Sequence, residues 1–274
     1  MPAVRPPAVA GTFYPDSPDK LTRELDELIP ASPEPLQGTL RGLISPHAGY
    51  AYSGSTAGRA YGLLKGKTFD AVIVVGPSHR EYFYGVSLFP GEAFKTPLGE
   101  VPVHKEIRSA LINQNEHIFM SEAGHKDEHS VEVQLPFLQR MFQSMKFVPI
   151  VMGDQNRGLC RVLAEQLAQV SKDFNVLLVA SSDLSHYHEY HTAVTLDQKV
   201  VDRLREFDSD GLLKLFENEE AEACGGGPMA AVMMGAGKAG ANHCHVLSYC
   251  NSGDVTGEKD RVVGYVSAAI TQVN

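Results

Sequence analysis

Long apolar runs, paired cysteines and clustered positive charge are all missing from this sequence of 274 residues. Its best apolar stretch, MAAVMMGAGKAGA, is cut by Lys238, well short of the roughly 18 uninterrupted apolar residues that a membrane helix needs. The N-terminal MPAVRPPAVAGTFYP carries prolines where a signal peptide would carry its apolar region. The expectation is a soluble, cytoplasmic protein with no membrane partner. The four cysteines, at 160, 224, 244 and 250, form no C-x-x-C or other short pair, which excludes a disulfide scaffold and a zinc ribbon alike. With 24 Lys and Arg against 33 Asp and Glu the formal net charge is -9. Basic residues such as Arg41, Lys65, Arg80 and Arg140 stand singly, so no stripe exists to follow a phosphate backbone, and nucleic acid is excluded as a partner. No repeat and no low-complexity linker divides the chain, so residues 1–274 read as a single domain.

What is present alternates between two textures. Short apolar, β-branched runs at 69–75, 147–152 and 176–180, a weaker one at 40–44 and two late ones at 245–250 and 262–270 read as strands, the continuous ones buried on both faces. Helical patterns lie at 54–64, 129–142, 156–170, 193–206 and 227–240. In the third, Leu159, Val162, Leu163, Leu167 and Val170 share one face. Strand alternating with helix predicts an α/β fold with a mainly parallel central sheet flanked by helices. The stretch 82–103, cut by Gly and Pro, reads as an antiparallel hairpin extension.

Three of the strands end alike. LRGLI runs into Ser45-Pro46-His47, AVIVV into Gly76-Pro77-Ser78-His79, and VLLVA into Ser181-Ser182-Asp183-Leu184-Ser185-His186. Strand ends in a parallel sheet share one rim, and ligands bind there. Pro46 and Pro77 force extended geometry on the residue before them and stiffen each loop. A lone histidine is most often a surface or core residue, but three strand ends that each deliver one point to a metal or acid/base site. Glycines 49, 54 and 58 are expected to let the turn after His47 pack closely.

Cys224, in ACGGGP, precedes a small-residue helix. A helix N-terminus favours thiolate, which is both nucleophile and soft ligand, while the bland alternative is a small buried thiol in a tight turn. Cys160, Cys244 and Cys250 fit amphipathic or strand burial, and His243 with His245 reads as structural. In HKDEHSVEVQL, His129 is retained as an outer residue of the site, and Glu128 and Glu132 as a solvated acidic first turn. Of His186, His188 and His191, one is expected to face inward.

The motifs AVAGTFYP, ISPHAGYAYSG, VVGPSHR, EHSVEVQLPFL, SSDLSHY and ACGGGP, in this order from about residue 5 to the last strand, resemble the Memo family, which includes AmmeMemoRadiSam system protein B. That family is similar in fold to class III extradiol ring-cleavage dioxygenases. The resemblance implies a metal triad of His47, His79 and Cys224, with Asp183 and His186 lining the same pocket and His186 in the place of a catalytic acid/base. It also implies a functional link to a radical SAM protein. A thiolate stands where the dioxygenases keep a carboxylate, which puts ring cleavage in doubt and suits copper or zinc as well as iron.

Three functions follow as expectations. One is redox chemistry at a mononuclear iron or copper site, with Asp183 and His129 as supporting residues and His186 moving protons. Another is a module binding a peptide or small anion, served by Tyr50, Tyr52, Arg59 and Arg80. The third is zinc-assisted hydrolysis.

Overall fold

A strand that is apolar at every position needs cover on both faces, and the computed structural model, which describes residues 3–32, 35–112 and 116–274, supplies it. The elements run β1 (Val4–Arg5), α1 (Pro18–Leu28), β2 (Thr39–Ser45), α2 (Tyr50–Gly62), β3 (Ala71–Pro77), β4 (Val86–Leu88), β5 (Ala93–Thr96), β6 (Gly99–Pro102), α3 (Lys105–Ile112) and β7 (Ile118–Met120). A turn of 3-10 helix (Glu132–Gln134) then leads into α4 (Leu135–Met141), β8 (Phe147–Met152), α5 (Arg157–Asp173), β9 (Val176–Ser181), β10 (His186–His188) and α6 (Tyr190–Arg205). The chain ends with α7 (Ser209–Glu217), α8 (Gly226–Lys238), β11 (His243–Asn251), α9 (Ser252–Thr256) and β12 (Val262–Gln272).

Among the described residues the main sheet follows the order β10-β12-β2-β9-β3-β8-β4-β7, with β11 also on β12. Its centre, β2-β9-β3-β8, is parallel as the sequence predicts. Its flanks are not: β12 runs antiparallel to β2, β10 and β11, and β4 antiparallel to β8. The sheet is therefore mixed around a parallel core. The stretch joining β11 to β12 is too short for a full crossover, which takes a dozen or more residues, so the chain returns antiparallel. The expected hairpin region also divides. β4 extends the main sheet, whereas β5 and β6 form an antiparallel pair that joins β1 in a separate three-stranded sheet.

Period two sorts the core. Ile73 and Val75 of β3 pack on one face with Leu163 and Leu167 of α5 and Met229 and Val232 of α8. Val72 and Val74 pack on the other with Leu21 of α1, Tyr61 of α2 and Phe137 of α4. Each such aliphatic side chain contributes about 1.5–3 kcal/mol by leaving water. The helices α1, α3 and α7 escape the sequence reading because each fully buries only two apolar side chains. No helix among the described residues is long and apolar enough to cross a membrane. The four parallel strands point their carboxyl ends at one rim, where the chain leaves β2, β3 and β9.

Candidate metal centre

His47 follows β2 by two residues, His79 follows β3 by two, and Cys224 stands just before the Gly225 that caps α8. The ligand atoms of these three side chains all lie within 4.8 Å of one another. Cys224 Sγ is 3.1 Å from His47 Nε2, and the two imidazole rings are 5.1 Å apart. Donors held about 2.0–2.3 Å from a shared ion sit roughly 3–4 Å from one another, so the gap is of ion size. His47 forms its floor at 1% exposure, while His79 and Cys224 open toward solvent.

Each donor is held from behind. Glu128, 2% exposed, takes the His79 backbone N–H on Oε2 at 2.5 Å and faces His79 Nδ1 with Oε1 at 2.8 Å. The same Oε1 accepts the His129 and Ser130 backbone N–H groups, both at 2.9 Å. Burial works against the Glu128 charge, but the bonds from His79 and Ser130 outweigh it and hold the carboxyl at about 2. An ionised carboxylate only accepts, so His79 presents an N–H to it at Nδ1, and Nε2 is the nitrogen left to face the gap. Glu128 is thus the orienting group for His79 and not the solvated first-turn residue that the sequence suggests. Glu132, fully buried, is not solvated either. Glu128→Gln is expected to weaken zinc binding by about 10–100-fold in competition with a chromophoric chelator, and an unchanged affinity would remove the orienting role.

His47 stands with Nδ1 2.9 Å from Ser181 Oγ. Burial, reinforced by the nearby His79, lowers its pKa to about 3, so the imidazole is neutral, the form that binds metals. Asp183 ties two of the loops together. Its Oδ1 accepts the backbone N–H groups of His47 at 2.8 Å and Ala48 at 3.3 Å. Its own N–H donates to Cys224 Sγ at 3.2 Å, and its carbonyl accepts from Cys224 N at 3.2 Å.

The helix N-terminus does not act on Cys224 as the sequence suggests. Gly225 N–H is spent on Ser182 Oγ, Gly227 N–H on Gln155 Oε1, and Pro228 has none. Burial, with the Asp183 charge nearby, pushes the thiol well above its ordinary range. A bound cation would reverse this, because a coordinating thiol loses its proton.

His129 stacks on His79 with ring centroids 4.6 Å apart and meets His47 edge-on at 5.2 Å. Phe13 meets His129 edge-on, with ring centroids 4.9 Å apart. Burial first, then the adjacent His47, lowers its pKa to about 4. His186 is half-buried and lines a cleft of about 550 Å³ that reaches Cys224, together with Phe216, Glu219 and Glu222. Of its neighbours, His188 pairs with Glu222 at 2.9 Å and His191 is exposed.

The structure keeps other candidates apart from the centre. Cys160 and Cys244 are buried, each pushed up to about 12 by that burial, and Cys250 meets Thr56. His243 and His245 stack on each other at the start of β11. Tyr50, expected at the rim, is buried and donates to the Val133 carbonyl, and Arg59 lies in the last turn of α2, away from the rim. Ser181 and Gln134, which the sequence reading passes over, sit directly behind His47. A serine at a strand end and a glutamine entering a helix carry no signature of such a role.

The sequence profile of the family described as Memo-like protein matches residues 5–269. A MEMO1 family protein of Sulfurisphaera tokodaii is 39% identical over 279 residues, covering 96% of this chain and 98% of its own. One of Thermoplasma volcanium is 38% identical over 265 residues, at 96% and 97% coverage. Among solved structures, an uncharacterized protein of Escherichia coli K12 superposes with a TM-score of 0.56 at 13% identity, covering 84% of this chain and 99% of its own, a likeness of fold alone. With a family profile spanning nearly the whole chain and relatives of this identity along its full length, the protein belongs to the Memo family.

Proposed function

We propose that His47, His79 and Cys224 hold one iron or copper ion and that the protein carries out redox chemistry linked to dioxygen. The observation that carries this reading is the convergence of two imidazoles and a thiol, from three distant segments, within 4.8 Å. When bound, the ion would supply a redox-active centre with open coordination positions. The chain's own residues supply the rest. Glu128 and Ser181 orient the imidazoles, and Asp183 fixes the His47 and Cys224 loops to each other. His186, on the cleft wall, is placed to exchange protons with a bound molecule. His129, stacked on His79 with ring centroids 4.6 Å apart, packs against that imidazole.

A third donor that is sulfur and not oxygen separates this site from the two-His-one-carboxylate arrangement of the extradiol dioxygenases, so ring cleavage is not part of the proposal. The anion-binding alternative meets opposing charge: Glu219 and Glu222 line the cleft, and among the described residues no Lys or Arg does. Zinc uses the same donors, and metal identity decides between hydrolysis and redox chemistry.

Metal analysis of protein purified without oxygen is expected to find about one iron or copper per chain, because the two candidate donor groups, His47/His79/Cys224 and His79/Glu128/His129, share His79 and cannot both be filled through it. His47→Ala, His79→Ala and Cys224→Ala are each expected to lose it with the circular dichroism spectrum unchanged. Zinc-filled protein that consumes no oxygen would overturn the redox reading in favour of hydrolysis. Full metal in all three variants would overturn the site itself.

A further inference from the structure

Behind His47, away from the cleft, three side chains form a buried line: Tyr61, Gln134 and Ser181, none of them exposed to solvent. Gln134 Nε2 lies 2.9 Å from the Pro46 carbonyl and 2.8 Å from Ser181 Oγ, while its Oε1 lies 2.6 Å from Tyr61 Oη. Flipping the amide would press its oxygen against the Pro46 carbonyl, acceptor to acceptor, so the Pro46 carbonyl fixes which end is nitrogen. Tyr61 therefore donates to Gln134, and Gln134 donates to Ser181.

Ser181 Oγ lies 2.6 Å from the Ser130 carbonyl, which can only accept. The single hydroxyl hydrogen of Ser181 goes there. One of its two lone pairs takes the Gln134 N–H. The remaining contact, at 2.9 Å to His47 Nδ1, is then satisfied only if the nitrogen donates. His47 carries its proton on Nδ1, and the Nε2 lone pair faces the gap beside Cys224 Sγ. In the opposite tautomer, Nε2 would push a hydrogen into the gap and could bind no metal.

We infer that Tyr61, Gln134 and Ser181 form a directional hydrogen-bond line that sets the tautomer of His47, and that Ser181 and Gln134 are positioning residues for metal binding. The inference rests on the reading of His47 as a ligand. The two imidazoles are fixed by unlike devices: a buried carboxylate for His79, and a neutral hydroxyl whose only hydrogen is already committed for His47. The second device adds no charge beside the most buried donor.

Nitrogen-resolved NMR of the metal-free protein tests the line directly. In the unmodified protein, His47 is expected to show a protonated Nδ1 and a bare Nε2. Ser181→Ala is expected to give a mixture of tautomers and zinc affinity lower by about 10–100-fold, while Ser181→Thr, which keeps the hydroxyl, returns to within about threefold. If the threonine is too large to fold, Ser181→Cys, a weaker donor and acceptor of similar size, is expected to fall between. A bare Nδ1 in the unmodified protein, or a folded Ser181→Ala variant with an unchanged tautomer and zinc affinity, would overturn the inference. Full zinc affinity in His47→Ala would instead strike the ligand reading, and the tautomer measurement on metal-free protein would still test the line.

Discussion

Arg5→Met is expected to destabilise the protein by about 3–5 kcal/mol, seen as a lower urea midpoint at unchanged slope. Arg5 lies near the chain's start yet is fully buried. Its Nη1 pairs with Glu132 Oε2 at 2.6 Å, its Nε donates to the His125 carbonyl at 2.5 Å, its Nη2 donates to the Glu128 carbonyl, and the guanidinium lies over Phe94. Glu132, equally buried, also takes the backbone N–H groups of Ala8 and Val9 and the hydroxyl of Tyr14. Two ions removed from water gain little net stability as a pair, but removing one leaves the other charged and uncompensated, and that sets the size of the effect. The double variant Arg5→Met/Glu132→Gln should therefore recover part of the loss, with a coupling of about 0.5–3 kcal/mol. Because Arg5 grips the carbonyl of Glu128, the residue that orients His79, the single variant should weaken zinc binding as well. A loss below about 1 kcal/mol would place this pair with solvent-screened surface bridges.

Gly58→Ala is expected to cost about 2–3 kcal/mol or more, through overpacking. A Cβ at position 58 would stand 2.0 Å from the Leu28 carbonyl oxygen and 2.7 Å from its carbon, where backbone and not a flexible side chain would have to give way. Gly54 and Gly62, one turn to either side, face side chains instead, with a Cβ 2.7 Å from Leu28 Cδ1 and 3.1 Å from Pro30 Cγ. Gly54 and Gly58, which the sequence assigns with Gly49 to close packing around His47, together with Gly62 thus let α2 lie against the end of α1 instead. Gly49, the glycine nearest that loop, has only ordinary contact space for a Cβ, beginning 3.5 Å away at Phe13. Gly49→Ala should consequently stay within about 0.5 kcal/mol of the parent. Equal losses at 49 and 58 in thermal or urea unfolding would contradict this assignment.

The two cases show where the sequence could be read and where it could not. The runs AVIVV, FVPIVM and VLLVA declare strands by composition, because residues covered on both sides must be apolar throughout, and the structure has β3, β8 and β9 there. The strand-then-histidine pattern was visible because parallel strands send their ends to one rim. Sequence also placed β11 and β12 as strands, but their antiparallel direction follows from a short return that local pattern does not encode. Glu128 was legible only as an acidic residue near a helix start. That it is buried against His79 depends on a loop brought in from another part of the chain and held there by Arg5, over a hundred residues away.

The sequence by itself determined the elements of the parallel core, the family, and which imidazoles and thiol stand at strand and helix ends, because apolar period and chain breaks are local properties of the chain. Tertiary structure alone decided that Glu128, Ser181 and Gln134 stand behind the histidines, that the α8 N–H groups are spent before they reach Cys224, and that the glycines of α2 serve α1. Hydrogen-bond direction and close approach are relations between atoms of distant segments, and they exist only once burial has brought those segments together.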